Sequence, residues 1–373
     1  MIRSPNRVII DLSALVRNLH QVRNLVNRGA RIMGVVKSDA YGHGLLEVGR
    51  TLEKNGVDCL GVAYLHEALD LRDGGIGLPI VILCGIRTRE EAREVLEKRL
   101  IPVLYELAVV ETLSQESVKC GKRARIHLKV DTGMGRLGIS HKDIGPFLQE
   151  IIGFKNLDIE ALTSHLSAAD EPGSRFSEEQ ARRFEKAISI GRSMGLDLPL
   201  NNMANSGGVM CHKKTHFDMV RTGIMLYGGL PSPDFISPAP LVPVMRFSSQ
   251  VLQVRDLPDK TPISYGGTYH TQGRCRIAVV SAGYGDGLPR NLSNRGEVLI
   301  RGEKVPIVGT VCMNLTVCDI TGLKEVEPGD EAVFLGSQGG EIIKVDDIAR
   351  NAGTISYEIF CSVGRKNIRE YVL

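Results

Sequence analysis

None of the eight cysteines forms a CxxC pair. Cys59, Cys84, Cys120, Cys211, Cys275, Cys312, Cys318 and Cys361 are scattered, several inside apolar runs such as VILCGI and YEIFCSVG. That spacing excludes the usual zinc sites and predicts reduced, mostly buried thiols of a cytoplasmic protein, with no metal. Long hydrophobic runs are missing too. LPIVILCGI, among the longest, is too short to span a bilayer. The start, MIRSPNRVIIDLSALVRNL, has no long apolar segment and no small-residue cleavage site, so no secretory signal is expected. Nor does one sign of charge dominate. Lys and Arg number 46 against 43 Asp and Glu, interspersed, for a net charge of +3. Nucleic acid and anionic membranes are therefore not expected partners.

What is present is an ordinary globular composition, 43% hydrophobic and 24% charged, over 373 residues. That length exceeds one typical core and predicts two domains. After a helix-like opening, LSALVRNLHQVRNLVN, short apolar runs begin at 31, 59, 79, 101, 124, 159, 198 and 218. Amphipathic stretches such as REEAREVLEKRL and SEEQARRFEKAISIGRSMG separate most of them, the latter opening on Ser177. Eight alternations predict an N-terminal (β/α)8 barrel of the TIM type over 1–235. An open doubly wound sheet gives the same local pattern with fewer strands. From 236 a proline-rich stretch, LPSPDFISPAPLVP, leads into short alternating runs with hairpin signals at RGEK and GSQGGE. Residues 236–373 thus read as a smaller, mostly-β domain in which only VDDIARNAG looks helical.

Barrel chemistry sits at the C-terminal ends of the strands. The residues there are Lys37 in VVKSDAYGHG, with Tyr41 four residues on; Lys129, Asp131 and Arg136; His165 in SHLS; Asn205, Ser206 and two glycines in ANSGG; and Arg221, Gly223 and Ile224 in RTGI. The bland alternative for Lys37 is the first exposed residue after a strand. For ANSGG and RTGI it is a pair of tight turns. Loops after the seventh and eighth strands of barrels often bind phosphate through bare backbone N–H groups. Phosphate, a strand-end lysine and arginines together point to pyridoxal phosphate, whose aldehyde needs a lysine. His43 receives no role beyond a turn between two glycines.

GMGRLG, residues 133–138, matches the dinucleotide-binding pattern, with Asp158 and Glu160 about twenty residues on. It stands after the fifth strand and places the charged Arg136 where a backbone must approach a pyrophosphate, both of which argue against that use.

Across nearly the whole chain, VVKSDAYGHG, KVDTGMGRLG, TSHLSAAD, ANSGG, VRTGIMLYG, ISYGGTY, AGYGDG, GTVCMN and ISYEIFC occur in the order of the alanine racemase family, which this chain resembles. The resemblance implies a barrel plus a β domain, pyridoxal 5′-phosphate, and racemisation of alanine by a homodimer with shared sites, supplying D-alanine for peptidoglycan. It implies that Lys37 binds the cofactor and is one base, and that Tyr265 of the second chain is the other. Tyr41, Ser206, Gly223, Ile224 and Tyr357 would hold the phosphate, with Asn205 beside them. Arg221 would face the pyridine nitrogen, and His165 would link it to Tyr265. Arg136, Met313 and Tyr284 would bound the substrate, and Lys129 would be carbamylated, its plain alternative being a solvent-reaching lysine. Where many members read Cys-Met-Asp, this chain reads Cys312-Met313-Asn314, dropping a charge. A related barrel decarboxylase would be expected to place an acid where Arg221 stands. A non-catalytic cofactor-binding relative would lack the C-terminal residues.

Overall fold

The first six of the eight runs form parallel strands in the computed structural model, which describes residues 4–373. They are Arg31–Val35, Cys59–Val62, Ile80–Ile82, Ile101–Leu104, Ala124–Asp131 and Leu157–Thr163, each paired with the next. The eighth, Met219–Thr222, pairs back onto the first, Arg31 beside Met219. The seventh run forms no strand. Asn202 alone bridges Thr163 on one side and Met219 on the other. Asparagine is a poor strand former and its amide competes for ladder positions. Here the Asn201 side chain accepts from Leu162 N at 3.0 Å and donates to Leu198 O at 2.7 Å. The ring still closes, and the expected barrel is present.

Strands buried on both faces need continuous apolar runs, which these have. Met33, Cys59, Val81, Ile101, Val103, Ala161, Leu200 and Met219 fill the barrel interior, so it is a packed core open only at its rim. The outer helices start where capping chemistry places them. Asp11 caps Leu12–Leu25 by accepting from Ala14 N at 2.8 Å. Thr88 and Glu91 form a reciprocal box at Arg89–Lys98. The helix expected from Ser177 begins earlier, at Arg175, capped by Ser174. Ser177 itself is buried and donates to Ala168 O at 3.0 Å.

The second sheet is organised on the long strand Met245–Leu257. Its neighbours include Arg7–Asp11, antiparallel, with Val8 opposite Phe247. Arg7–Asp11 in turn pairs in parallel with the last strand, Arg369–Val372. Both ends of the chain therefore meet in the β sheet rather than in the barrel. Both hairpin turns form where expected: Arg301 and Gly302 are left-handed (φ 55° and 82°), as are Gly339 and Gly340. Val345–Ala352 is helical as expected. A second helix, Ser356–Lys366, was not anticipated from ISYEIFCSVGRK, whose β-branched and aromatic residues mask its period. Ile359, Phe360 and Val363 are buried from it. Among the described residues no helix is long and apolar enough to cross a membrane, and no cluster of His, Cys, Asp and Glu is arranged to hold a metal.

Candidate active site

Lys37 follows the first barrel strand by two residues and stands at its C-terminal end. The chain then turns left-handed: Ser38, Asp39, Ala40 and Tyr41 have φ of 57°, 57°, 51° and 55°. For residues with a Cβ this costs roughly 1–2 kcal/mol each. It swings Tyr41 inward, so that lysine and tyrosine face the same cavity of about 280 Å³ at the barrel mouth. Glu67, buried, accepts from Ser38 N at 2.5 Å and also from Ala63 N at 2.7 Å and Tyr64 N at 3.1 Å. His43 lies in a turn, as expected, and is fully buried there. Its Nδ1 lies 3.0 Å from the carbonyls of both Ala40 and Tyr41. Carbonyls only accept, so Nδ1 bears the proton. Burial pushes its pKa down to about 3, leaving a neutral ring stacked on Tyr227.

Lys37, Lys129, Arg136 and Arg221 all line the cavity. Among the described residues none of the four makes an ion pair with a carboxylate. Arg221 is nearly inaccessible and held wholly by neutral acceptors. It donates to Thr163 Oγ1 at 3.2 Å, to Asn202 Oδ1, to Ser164 O at 2.5 Å, to Met203 O at 3.2 Å and to His165 Nδ1 at 2.9 Å. Burial, with Arg136 nearby, lowers its pKa to about 10, so it stays charged. An arginine cannot accept, so His165 Nδ1 presents a lone pair and its Nε2 the proton. Burial, then Arg221, keeps that imidazole neutral. Burial lowers the Lys37 pKa, and burial with Arg221 and Arg136 lowers that of Lys129 well below the ordinary lysine value. With Arg221 buried, the two lysines half-buried and Arg136 exposed at the rim, a group of this sign favours an anion in the cavity.

Also lining the cavity, Ser206 Oγ accepts from Gly223 N at 3.1 Å and Met225 N at 3.4 Å. Asn205 caps the short helix Ser206–Cys211, accepting from Gly208 N at 2.9 Å. A Cβ at Gly223 would collide with the Tyr41 hydroxyl, so the glycine keeps backbone and phenol together. Tyr357 and Ile224 line the same cavity. Burial raises the pKa of both Tyr41 and Tyr357, which keeps two hydroxyl donors protonated there. Hydroxyls, bare backbone and nearby cations suit a phosphate, and the amine in the same cavity suits an aldehyde. Pyridoxal phosphate fits this donor set.

Eleven of the residues singled out from sequence thus meet in one cavity. Tyr265, Tyr284 and Met313 do not. They are 73%, 36% and 58% exposed on the β domain, gathered about the single loop 310–313. Tyr265 O accepts from Thr310 Oγ1 at 2.9 Å, Tyr284 N donates to Cys312 O at 3.0 Å, and Gly285 N donates to Met313 O at 2.7 Å. Ser264 precedes Tyr265 at φ 63° and ψ −171°, a glycine-like conformation, held by its hydroxyl on Thr310 O at 2.5 Å. Asn314 donates to Asp286 at 3.2 Å, where an aspartate would set two carboxylates together.

The GMGRLG loop has its first backbone N–H groups already taken, which leaves them unavailable to a pyrophosphate. Asp131 already takes the N–H groups of Gly133 (2.8 Å), Met134 (2.9 Å) and Gly135 (3.0 Å). Asn202, Thr163 and Glu67 escaped detection in the sequence. They lie in unremarkable strand or helix contexts, and only their neighbours in space give them a place at the site.

Residues 10–231 match the family description "Alanine racemase, N-terminal domain", and 244–371 match "Alanine racemase, C-terminal domain". The chain is 43% identical to the alanine racemase of Syntrophobacter fumaroxidans, over 98% of this chain and 96% of that one. The alanine racemase of a D-cycloserine-producing Streptomyces lavendulae superposes with a TM-score of 0.93 at 33% identity, covering 100% of this chain and 98% of the other. The Bartonella henselae alanine racemase, solved with covalently bound pyridoxal phosphate, gives 0.88 at 30% identity, covering 98% and 99%. With both domain matches in place, spanning barrel, cavity and β sheet, the chain belongs to the alanine racemase family of isomerases.

Proposed function

We propose that this protein interconverts L- and D-alanine with pyridoxal 5′-phosphate as cofactor, using Lys37 and the Tyr265 of a second copy as two opposed bases. In this scheme it works as a cytoplasmic homodimer with shared sites and supplies D-alanine for peptidoglycan. The observation that carries the proposal is the cavity itself: two lysine amines and two guanidiniums with no carboxylate partner among the described residues, sharing one space with a cradle of hydroxyls and glycine backbone. The covalently bound pyridoxal phosphate of the Bartonella henselae relative supports the cofactor assignment.

When bound, the cofactor draws electrons from the α-carbon of alanine and acidifies its C–H. Lys37 holds it and takes or returns the proton on one face; burial, by lowering its pKa, favours the neutral amine that this needs. Racemisation also needs a base on the other face, since one base returning its own proton retains configuration. Tyr41 and Tyr357 are poor candidates because burial holds their hydroxyls protonated. Tyr265, exposed on the β domain, is free to enter a partner's cavity. His165 Nε2–H, oriented by Arg221, would donate to that phenolate. Tyr284 and Met313, beside Tyr265, would bound the partner's substrate pocket with Arg136. The test is incubation of the holoenzyme with L-alanine. Optical rotation should fall to zero; visible cofactor absorption without that loss would leave only a binding protein.

Lys129 is assigned a carbamate in the same scheme. Its amine lies near Arg221 and Arg136, both of which oppose a further cation. Addition of carbon dioxide to the neutral amine, with release of a proton, would place an anion among the guanidiniums. Native mass spectrometry should show one carbon dioxide above the mass of the chain with its bound cofactor, lost on acid denaturation. An unmodified native mass would sink the assignment.

A further inference from the structure

The left-handed turn between Lys37 and Tyr41 is unfavourable for its residues. Locally, Ala40 N reaches Val36 O at 2.8 Å, Gly42 N reaches Ser38 O at 3.1 Å, and His43 N and Gly44 N reach Ala40 O and Asp39 O at 3.0 Å each. Further support comes from distant parts of the chain. Asp39 sits at the centre. One carboxylate oxygen accepts from Leu45 N at 2.8 Å; the other is paired with Arg369, distant by 330 residues in sequence. The same Arg369 Nη1 donates to Gly42 O at 3.0 Å. Arg369 opens the last strand, which is fastened to Val8–Asp11. The two side chains are only 22% and 32% exposed, which separates this pair from a solvent-screened surface bridge. The C-terminal elements also press on the turn's glycines. A Cβ at Gly42 would strike Phe360 O, and one at Gly44 the Tyr371 hydroxyl.

We propose that Arg369 is a positioning residue for the reaction: bridging Asp39 and the Gly42 carbonyl, it lets the C-terminal strand hold the left-handed turn that presents Lys37 and Tyr41 to the cofactor. This rests on the assignment of those two residues to pyridoxal phosphate. The mechanical reason is that Lys37 and Tyr41 must meet opposite ends of one rigid molecule. Relaxation of Asp39 or Ala40 to a right-handed conformation would swing one away from the other. Arg369 contacts neither substrate nor cofactor, so its effect must pass through that turn.

The test uses full-length Arg369→Ala, Arg369→Lys, Asp39→Asn and the Arg369→Ala/Asp39→Asn double variant, each as apo- and holoenzyme. Arg369→Ala should weaken pyridoxal phosphate binding by about tenfold, within the range of coupled neighbouring groups. It should lower kcat more than it raises the KM for alanine. Arg369→Lys should recover most of the loss, because it keeps the charge. Asp39→Asn should match Arg369→Ala, and the double variant should be no worse than the worse single one, since all three break the same link. An unchanged cofactor dissociation constant in Arg369→Ala overturns the proposal, as do losses that add. So does a lowered apoenzyme melting midpoint with cofactor affinity and kcat untouched, which would mark a purely structural contact. Should Arg369→Ala fail to fold, Arg369→Gln, which keeps a donor for Gly42 O without the charge, takes its place with the same expected loss. The cofactor assignment fails separately: a Lys37→Ala protein with wild-type cofactor absorption would refute it whatever Arg369 does.

Discussion

Lys37→Ala should abolish racemisation, with kcat/KM down by at least about 10⁴-fold, and should remove the visible absorption of lysine-bound cofactor. The size follows from what the amine does twice. In the proposed scheme it is both the nucleophile that holds the cofactor and the base on one face of the substrate. The other cationic groups of the cavity cannot substitute. Arg136 and Arg221 are guanidiniums, and Lys129 is placed among them on the fifth barrel strand. Phosphate contacts from Tyr41 and Ser206 remain in the variant, so cofactor should still bind, noncovalently and more weakly. Retained turnover in Lys37→Ala, measured with either enantiomer, would refute the role.

Mixing two inactive variants should restore activity. In the proposed scheme Tyr265→Phe removes the second base, and it should cost about 10²–10⁴-fold, the usual worth of a positioned proton-transfer group. Lys37→Ala and Tyr265→Phe chains, co-expressed in equal amounts, would form half of all dimers as heterodimers. In a heterodimer one cavity has both defects. The other joins Lys37 of the Tyr265→Phe chain to Tyr265 of the Lys37→Ala chain and is complete. Specific activity should therefore return to about one quarter of wild type. The structure motivates this because Tyr265, Tyr284 and Met313 are exposed on one loop cluster and absent from their own chain's cavity. A mixture no more active than its parents would place both bases in one chain and end the shared-site proposal.

The barrel was legible because its strands are short, doubly buried and therefore continuously apolar, and because amphipathic stretches such as REEAREVLEKRL separate them. The seventh stave was legible in position but not in form, since asparagine side chains took over its ladder. Ser356–Lys366 was missed because strand-favouring residues can be helical when tertiary packing outweighs their propensity. His43 does lie in the turn between two glycines, but no local pattern shows that it is also a core residue packed on Tyr227 and Phe360.

What the sequence determined by itself is the order of elements and the end of the barrel at which chemistry collects. Lys37, Lys129, His165, Ser206 and Arg221 each follow or end an apolar run, and strand polarity puts all such ends on one rim. What only the tertiary structure decided is how those groups are held. The hand of the turn at Ser38–Tyr41, the neutral acceptors around Arg221 and the clamp from Arg369 join residues far apart in the chain. No local pattern encodes them, because their free energy arises only when distant segments exclude water from a common space.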